Sequence, residues 1–228
     1  MSELRFEGVG HRFGARTVLA DVDLVLAQRR IGVIGANGSG KSTLARMING
    51  LVVPTRGRVL VDGVDTARGG AAVRRRVGFV FTDPDAQIVM PTVAEDVAFS
   101  LRKQRLSREE RDARVAQVLE RFGLDRLGDS PAHLLSGGEK QLLALASVLV
   151  TEPDVLVCDE PTTLLDARNA ARVRALLEGL PQQVVLVTHQ LDLVAGADRV
   201  LVVDEGRVVA DGAPDEAFAA YADVVARP

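Results

Sequence analysis

Cysteine, lysine and long apolar runs are scarce in this sequence of 228 residues, and tryptophan is absent. The single cysteine, Cys158, rules out a disulfide within the chain and agrees with a reducing compartment. The longest apolar runs, such as Leu142–Val150, are far shorter than the roughly 20 residues of a membrane-spanning helix. The first residues, MSELRFEGVG, contain no apolar signal-peptide core. We therefore expect a cytoplasmic protein that does not itself cross a membrane.

The numbers of basic and acidic residues are nearly equal, 28 and 31, which gives a net charge of −3. Because the two signs are interspersed along the chain, no dominant surface for nucleic acid is expected, and no nucleic-acid partner. The basic residues are almost all arginine, since lysine occurs only at Lys41, Lys103 and Lys140. Each lysine is therefore a candidate for a specific role, and Lys41 is the foremost of them.

Alternating apolar segments predict an α/β fold. The stretches LRFEGV and VLADVDLVL alternate apolar and polar residues, which is typical of half-buried strands. RRIGVIG, DVLVCDE and QVVLVTH are more continuous apolar runs, which are typical of the buried strands of a parallel sheet. The segment RVLVVDEGRVVADG is typical of a hairpin. We predict a mainly parallel sheet with an antiparallel β portion near the N-terminus.

Helical character dominates from about residue 83 to residue 150. The segment SREERDARVAQVLERFG places Ser107 and Glu110 in capping-box spacing and ends on Gly123, a typical C-cap. We therefore predict one domain over residues 1–228, with an α/β core at about 1–82 and 151–228 and a helical subdomain inserted at about 83–150.

The segment GANGSGKST has the spacing of a phosphate-binding loop, with an apolar strand before it and a helix after it. Its glycines allow successive backbone N–H groups to surround phosphate oxygens at a helix N-terminus. Lys41 would reach the β- and γ-phosphates, and the Ser42 hydroxyl would bind Mg²⁺. The alternative, a glycine-rich turn that binds nothing, is disfavoured by the lysine, the hydroxyls and the flanking elements together.

Two further strands end in polar residues that suit phosphate chemistry. VLVCDEP places Asp159 and Glu160 at the carboxyl end of a buried strand, where α/β sheets bind ligands. Asp159 would hold Mg²⁺, and Glu160 would act as the general base for the attacking water. His189 ends the strand VLVTH and would contact the γ-phosphate. Taken alone, Asp159 and Glu160 could instead be a solvated strand end, and His189 could be a structural histidine.

The segment LLSGGEKQLLALASVL opens a long apolar helix with Ser136, Gly137 and Gly138. A helix that begins this way offers free N–H groups and a positive dipole end, so it is a second anion site. Only the first of the two sites carries a lysine at its helix start. This asymmetry suggests that the second site serves the nucleotide of a partner molecule.

In this combination and order, the motifs resemble the ATP-binding subunit of an ABC (ATP-binding cassette) transporter over nearly the whole chain. The resemblance implies a P-loop NTPase (RecA-like) core, ATP and Mg²⁺ as ligands, and ATP hydrolysis with Lys41, Glu160 and His189 as catalytic residues. It also implies a head-to-tail homodimer that holds two ATP molecules between opposing subunits. By this resemblance Phe13 would stack on the adenine, unless it is a core aromatic. The other implied nucleotide contacts come from the phosphate loop, the signature segment and the start of a later helix: Gly35, Ala36, Asn37, Gly38, Ser39, Gly40, Lys41, Ser42, Thr43, Ser136, Gly137, Gly138 and Asp166.

The segment PDAQI, residues 84–88, followed by PTVAEDVAF, resembles the segment that docks on the membrane subunit in energy-coupling-factor (ECF) transporters, the branch that takes up vitamins, cobalt and nickel. By this resemblance Pro84, Asp85, Gln87 and Ile88 would contact a transmembrane coupling subunit, which works with a substrate-binding membrane subunit. The implied location is peripheral, on the cytoplasmic face of the bacterial cell membrane. A surface turn without a partner is the alternative.

Two residues depart from the family pattern, Glu139, where glutamine is more usual, and Thr82. Thr82 stands where the family normally has a glutamine whose amide oxygen contacts Mg²⁺ and the attacking water. Threonine is shorter, although its hydroxyl could act through a bridging water. This departure and the helix sequence QLLALASVL resemble the biotin-type ATPases most.

Three alternatives to a biotin ECF ATPase remain at this point. Cobalt or nickel uptake is the second reading of the same ECF pattern. A non-transport ABC protein would lack the PDAQ segment, and a P-loop kinase or GTPase would lack LSGG.

Overall fold

The chain folds, in a computed structural model that describes residues 1–226, as an α/β protein with two sheets and seven α-helices. The α/β class predicted from the apolar pattern is confirmed. The strands are β1 Leu4–Phe13, β2 Arg16–Leu26, β3 Arg30–Ile34, β4 Arg56–Val61, β5 Val64–Asp65, β6 Val77–Val80, β7 Val155–Asp159, β8 Gln183–Val187, β9 Arg199–Asp204 and β10 Arg207–Gly212. The helices are α1 Lys41–Ile48, α2 Gly70–Arg76, α3 Val93–Ser100, α4 Arg108–Phe122, α5 Gly137–Leu149, α6 Ala167–Glu178 and α7 Pro214–Val225.

The larger sheet has six strands in the order β10-β9-β3-β8-β7-β6. Strand β3 runs parallel to both β8 and β9, and β7 runs parallel to β8, whereas β9 and β10 form the antiparallel hairpin that the sequence predicted. The central strands β7 and β8 are buried at every position, which explains their continuous apolar sequences. Their carboxyl ends therefore lie together at one edge of the sheet.

The smaller sheet is antiparallel, with strand order β2-β1-β4-β5. Along β1, Leu4 and Phe6 are buried while Arg5 and Glu7, which alternate with them, are partly exposed, as expected when one face packs on the core. This sheet is the predicted N-terminal antiparallel portion.

Contacts between residues divide the chain into two compact units. The first contains Met1–Phe79, Asp154–Glu160 and residues 180–226. The second contains Val80–Pro153 and Pro161–Gly179. The second unit thus begins close to the expected residue 83 but also includes α6, which the sequence placed in the core. Contacts between α5 and α6 account for the difference, because they join segments that are separated in sequence by strand β7.

Local capping signals mark the helices of the second unit. Ser107 accepts a hydrogen bond from the Glu110 amide, and the Glu110 side chain accepts one from the Ser107 amide, so the predicted capping box begins α4. Gly123 ends α4 with φ of 64°, the left-handed conformation that favours glycine. Helices α3 and α5 begin with the same box, at Thr92 and Ser136. No helix within residues 1–226 is both long and apolar enough to cross a bilayer.

Candidate functional site

A glycine-rich loop, residues 35–40, connects β3 to the first turn of α1 in the first unit. Gly35 has φ of 152° and Gly40 has φ of 109°, values that residues with a side chain rarely adopt. A β-carbon at Gly35 would lie 2.1 Å from the backbone oxygen of Val203, so the close approach of the neighbouring strand also requires glycine. The loop delivers the chain to the N-terminus of α1, where unpaired N–H groups suit an anion.

The remaining residues of the glycine-rich loop differ in their exposure to solvent. Ala36, Asn37 and Gly38 form the exposed crest of the loop, and Ser39 is buried beneath them. The Ser39 amide donates to the Ala36 carbonyl at 3.2 Å, while its own carbonyl accepts from Gly206. The base of the loop is therefore anchored to the β9–β10 hairpin, and the crest is left accessible.

Lys41 is buried at the start of α1, where only 6% of its surface is exposed. Its Nζ donates to the carbonyls of Gly35 and Ala36, each at 2.8 Å. Burial lowers the pKa of the Lys41 ammonium, and the negative charges of Glu160 and Asp159 partly oppose this. The cation is thus held by neutral carbonyls within its own loop, which an incoming phosphate can replace with full negative charges.

Asp159 is completely buried at the end of β7. Its carboxylate accepts a hydrogen bond from the Ser42 hydroxyl at 2.8 Å and one from the Arg46 guanidinium at 3.2 Å. Both donors lie on α1, which brings together Ser42 and Asp159 as the sequence predicted. Thr43 follows them as a half-buried residue of the same turn. Arg46 was missed by the sequence analysis, because no motif marks it and its partner lies 113 residues away.

Glu160 and His189 are also brought together, at the ends of the neighbouring strands β7 and β8. The His189 Nδ1 atom lies 2.9 Å from both carboxylate oxygens of Glu160. The Glu160 amide donates to the Val187 carbonyl, and Thr188 donates a weak hydrogen bond of 3.4 Å to the Glu160 side chain. Because an ionised carboxylate only accepts hydrogen bonds, Nδ1 carries the proton in this pair and Nε2 is left for another partner.

The backbone of Glu160 is strained, with φ of 53° at a residue that is not glycine. Such conformations cost energy and persist where the surroundings impose them, often at functional sites. The side chain is only 13% exposed, whereas that of His189 is 45% exposed. Glu160 is therefore a fixed, largely enclosed carboxylate beside an accessible imidazole.

Phe13 ends β1 with 57% of its surface exposed. Its ring meets the buried ring of His11 edge to face, with a centroid distance of 4.6 Å and an angle of 84°. This exposure argues against the alternative that Phe13 is a core aromatic. A large aromatic ring that is exposed to solvent and also contacts a buried ring is suited to stacking.

In the second unit, Ser136 caps the N-terminus of α5. We call residues 136–139 the signature turn. The Glu139 carboxylate accepts hydrogen bonds from the Ser136 amide at 2.8 Å and hydroxyl at 2.7 Å. The bond from the Ser136 hydroxyl is the largest cause that lowers the pKa of Glu139. Ser136 and Gly137 are exposed, and they lie at the helix start for which the sequence predicts a second anion site.

Gly138 and Asp166 are linked by Asn169, a residue that the sequence analysis missed. A β-carbon at Gly138 would lie 2.4 Å from the Asn169 side chain, so only glycine fits there. Asp166 caps α6 by accepting from the Asn169 amide at 2.8 Å and its side chain at 2.9 Å. The first of these bonds is the largest cause that lowers the pKa of Asp166. No motif identifies Asn169, because its role arises from the packing of α6 on α5.

We call residues 81–91, also in the second unit, the docking segment. Pro84 is buried and begins a short 3-10 helix, Pro84–Ala86. Asp85 is exposed but binds Lys140, and the Gln87 side chain bonds to the backbone of Phe81 and Ala144. Ile88 is half-buried, and Thr82 is half-buried after β6. The apolar surface that remains is Val89, 63% exposed.

In the first unit, a divalent cation would need ligands from a bound phosphate in addition to those from the protein. No group of three or more acidic, histidine or cysteine side chains within residues 1–226 could enclose a metal ion alone. The pair of one hydroxyl, Ser42, and one buried carboxylate, Asp159, instead has the chemistry that suits Mg²⁺ when substrate phosphates and water complete its ligands. The single cysteine, Cys158, is fully buried among core residues, and this burial raises the pKa of its thiol.

Known proteins match this chain along most of its length. The family model described as ABC transporter matches residues 19–163. The biotin transport ATP-binding protein BioM of Rhizobium etli is 50% identical over 98% of this chain and 99% of that protein. The energy-coupling factor transporter ATP-binding protein EcfA1 of Symbiobacterium thermophilum is 44% identical over 93% of this chain and 80% of that protein.

A solved structure agrees with these relatives. The structure of cbiO1 from Clostridium perfringens, described as part of the ABC transporter complex cbiONQ, superposes with a TM-score of 0.84. It is 34% identical to this chain and covers 95% of it, while the chain covers 90% of that structure. Since the family model covers more than half of the chain, the chain belongs to the ABC transporter family as its ATP-binding, ATP-hydrolysing subunit, as the motifs predicted.

Proposed function

We propose that this ATPase energises uptake of biotin through an ECF-type transporter, and that it works as a homodimer on the cytoplasmic face of the bacterial cell membrane. The contact of 2.8 Å between Ser42 and Asp159 carries the ATPase part of the proposal, because it joins the phosphate loop to the strand that holds Glu160. Similarity to BioM over nearly the full length of both proteins supports biotin as the substrate. Similarity to EcfA1 supports the ECF type.

In the proposed mechanism, the phosphate loop and the start of α1 bind the phosphates of ATP, and Phe13 stacks on the adenine. Lys41 leaves the carbonyls of Gly35 and Ala36 for the β- and γ-phosphates. Ser42 and Asp159 would hold Mg²⁺, which neutralises charge on the phosphates. Thr82 would contact the ion or the attacking water through a bridging water, a role that rests on the family resemblance alone.

Glu160 acts as general base in the hydrolytic step. It takes a proton from water as the water oxygen bonds to the γ-phosphorus and the bond to the β,γ-bridging oxygen breaks, which releases ADP and phosphate. His189 orients the Glu160 carboxylate through Nδ1, and it contacts the γ-phosphate through Nε2. The enclosed position of Glu160 keeps this carboxylate in place for the proton transfer.

The signature turn binds the ATP of the opposing subunit. Ser136, Gly137 and Gly138 offer the N–H groups and dipole of α5 to the γ-phosphate, and Asp166 lies beside them through Asn169. A closed dimer thus gives each ATP contacts from two chains. Because ATP binds the closed state better than the open state, its binding favours closure and its hydrolysis favours opening.

The docking segment would bind membrane subunits of the transporter. These are a transmembrane coupling subunit and a substrate-binding subunit. A cavity of about 310 Å³ lies at this surface and is lined by Asp85, Ile88, Val89, Met90, Pro91, Ala132 and His133. The exposed Val89 side chain beside the half-buried Ile88 provides the apolar contact typical of the centre of an interface. Pro84 supports this surface from beneath, since it is buried.

Replacing Glu160 with glutamine should abolish turnover without preventing ATP binding. Loss of a general base lowers the rate of its step by roughly 100-fold or more. The measurement is steady-state phosphate release together with binding of a fluorescent ATP analogue. Glu205→Gln is the matched control, because Glu205 is an exposed glutamate with a similarly positive φ of 45°. Undiminished hydrolysis in Glu160→Gln would remove Glu160 from the mechanism.

Replacing Thr82 with glutamine should raise the ATPase rate of the assembled transporter several-fold and tighten its dependence on transport substrate. The longer amide would reach the ion and water directly, whereas threonine acts at a distance. Thr82→Ser, which keeps the hydroxyl, serves as the control and should resemble the wild type. If Thr82→Gln changes neither rate nor substrate dependence, Thr82 does not limit coupling.

Co-expression with the membrane subunits of a biotin transporter tests the assignment itself. A tagged chain should recover both subunits from detergent extracts and restore uptake of labelled biotin, but not of cobalt or nickel, to cells that lack their own ATPase. Val89→Glu should prevent recovery, because it places a charge in the apolar contact, while Val209→Glu, on an exposed valine of β10, should not. Failure of the wild-type chain to recover any membrane subunit would refute the proposal.

A further inference from the structure

Three polar links join the docking segment and α3 to one face of the helix that carries the signature turn. Their positions on α5 are Lys140, Ala144 and Ser147, which are spaced by four and then three residues. This spacing places them in a row along one side of an α-helix. The links therefore fasten α5 along its length rather than at one point.

The first link is an ion pair between Lys140 and Asp85. The ammonium lies 2.7 Å and 3.0 Å from the two carboxylate oxygens of Asp85. The Lys140 side chain is only 17% exposed, although that of Asp85 is 62% exposed. The Lys140 amide donates to the Ser136 carbonyl at 2.9 Å, so the ion pair lies one helical turn from the residue that begins the signature turn.

The second link is the side chain of Gln87, which bridges two backbone groups. Its amide nitrogen donates to the Ala144 carbonyl at 3.3 Å, and its oxygen accepts from the Phe81 amide at 3.2 Å. Gln87 thus holds the beginning of the docking segment against the middle of α5.

The third link is the carboxylate of Asp96 on α3, only 3% exposed. It accepts from the Val89 amide at 2.8 Å, from the Met90 amide at 3.1 Å and from the Ser147 hydroxyl at 2.8 Å. A buried carboxylate without these donors would be strongly unfavourable, so the three groups are held together. The backbone that carries the exposed Val89 side chain is therefore tied to the last turns of α5.

We infer that the docking segment and α5 move as one body, and that Lys140 is the positioning residue that sets the signature turn relative to the docked partner. The inference rests on the proposed function, and it reassigns Asp85 and Gln87. Their side chains act within the subunit, while Ile88 and Val89 make the contact with the partner. A force applied at Val89 reaches the start of α5 through the Asp85–Lys140 pair.

Hydrogen–deuterium exchange on the isolated chain tests this link without any partner. In Lys140→Met and in Asp85→Asn, the amides of residues 86–90 and of residues 140–144 should both exchange about threefold faster, a size that suits a partly exposed ion pair. Lys140→Arg should exchange as the wild type does. Lys103→Met is the matched control, because Lys103 is an exposed lysine of the same unit, and it should change neither region.

The double variant Lys140→Met with Asp85→Asn decides whether the two residues act together. If they form one link, the double variant exchanges no faster than either single variant. Additive effects, or unchanged exchange at residues 140–144 in the single variants, would overturn the inference.

The assembled transporter tests the functional consequence. The measured quantity is the ratio of ATPase rates with and without membrane subunits. This ratio should fall about threefold in Lys140→Met, although the variant recovers the membrane subunits as well as the wild type does, and Lys140→Arg should restore it. An unchanged ratio in Lys140→Met would also overturn the inference. If the wild-type chain recovers no membrane subunit, the proposed function fails, and the exchange experiment still decides whether the link exists.

Discussion

The hydrogen bonds to the buried carboxylate of Asp159 are the interactions on which the candidate nucleotide site depends. A fully buried charge is stable only when donors surround it, and here two donors come from one helix, Ser42 and Arg46 of α1. Their bonds fix the first turns of α1 at the carboxyl end of β7. The phosphate loop and Lys41 are positioned by the same contact, because they lie immediately before that turn. Glu160 directly follows the last residue of β7, so one strand end sets the place of both carboxylates.

Features encoded in a short stretch of sequence could be predicted. The phosphate loop, the capping box of α4 and the buried parallel strands each follow from residue types at fixed spacing, and the structure has them where the pattern indicated. The contacts between distant segments could not be predicted. Arg46 with Asp159, Asn169 with Gly138 and Lys140 with Asp85 are separated by 113, 31 and 55 residues, and they exist only because the helices pack in one particular way. For the same reason α6 groups with the helical unit rather than with the sheet.

Each of the two units carries its own set of the predicted nucleotide contacts. The first unit carries the lysine, the carboxylates and the histidine, and the second carries the signature turn with its helix N-terminus. Two features of the second unit depart from the usual family pattern: Thr82 replaces a glutamine, and Glu139 places a carboxylate on Ser136 where glutamine is more usual. In the proposed mechanism, the Ser136 hydroxyl donates its hydrogen bond to Glu139 until the partner's ATP binds. A phosphate oxygen of that ATP must then replace the Glu139 carboxylate as the acceptor.

The central claim is that each ATP is held by the phosphate loop of one chain and the signature turn of another. Mixing two inactive variants tests it most directly: Lys41→Ala removes the phosphate lysine, and Ser136→Phe blocks the signature turn. In an equal mixture half of the dimers combine the two variants, and each of these has one intact site of two. The account predicts that ATP hydrolysis returns to about a quarter of the wild-type rate. A mixture that hydrolyses no more ATP than the two variants do separately would contradict it.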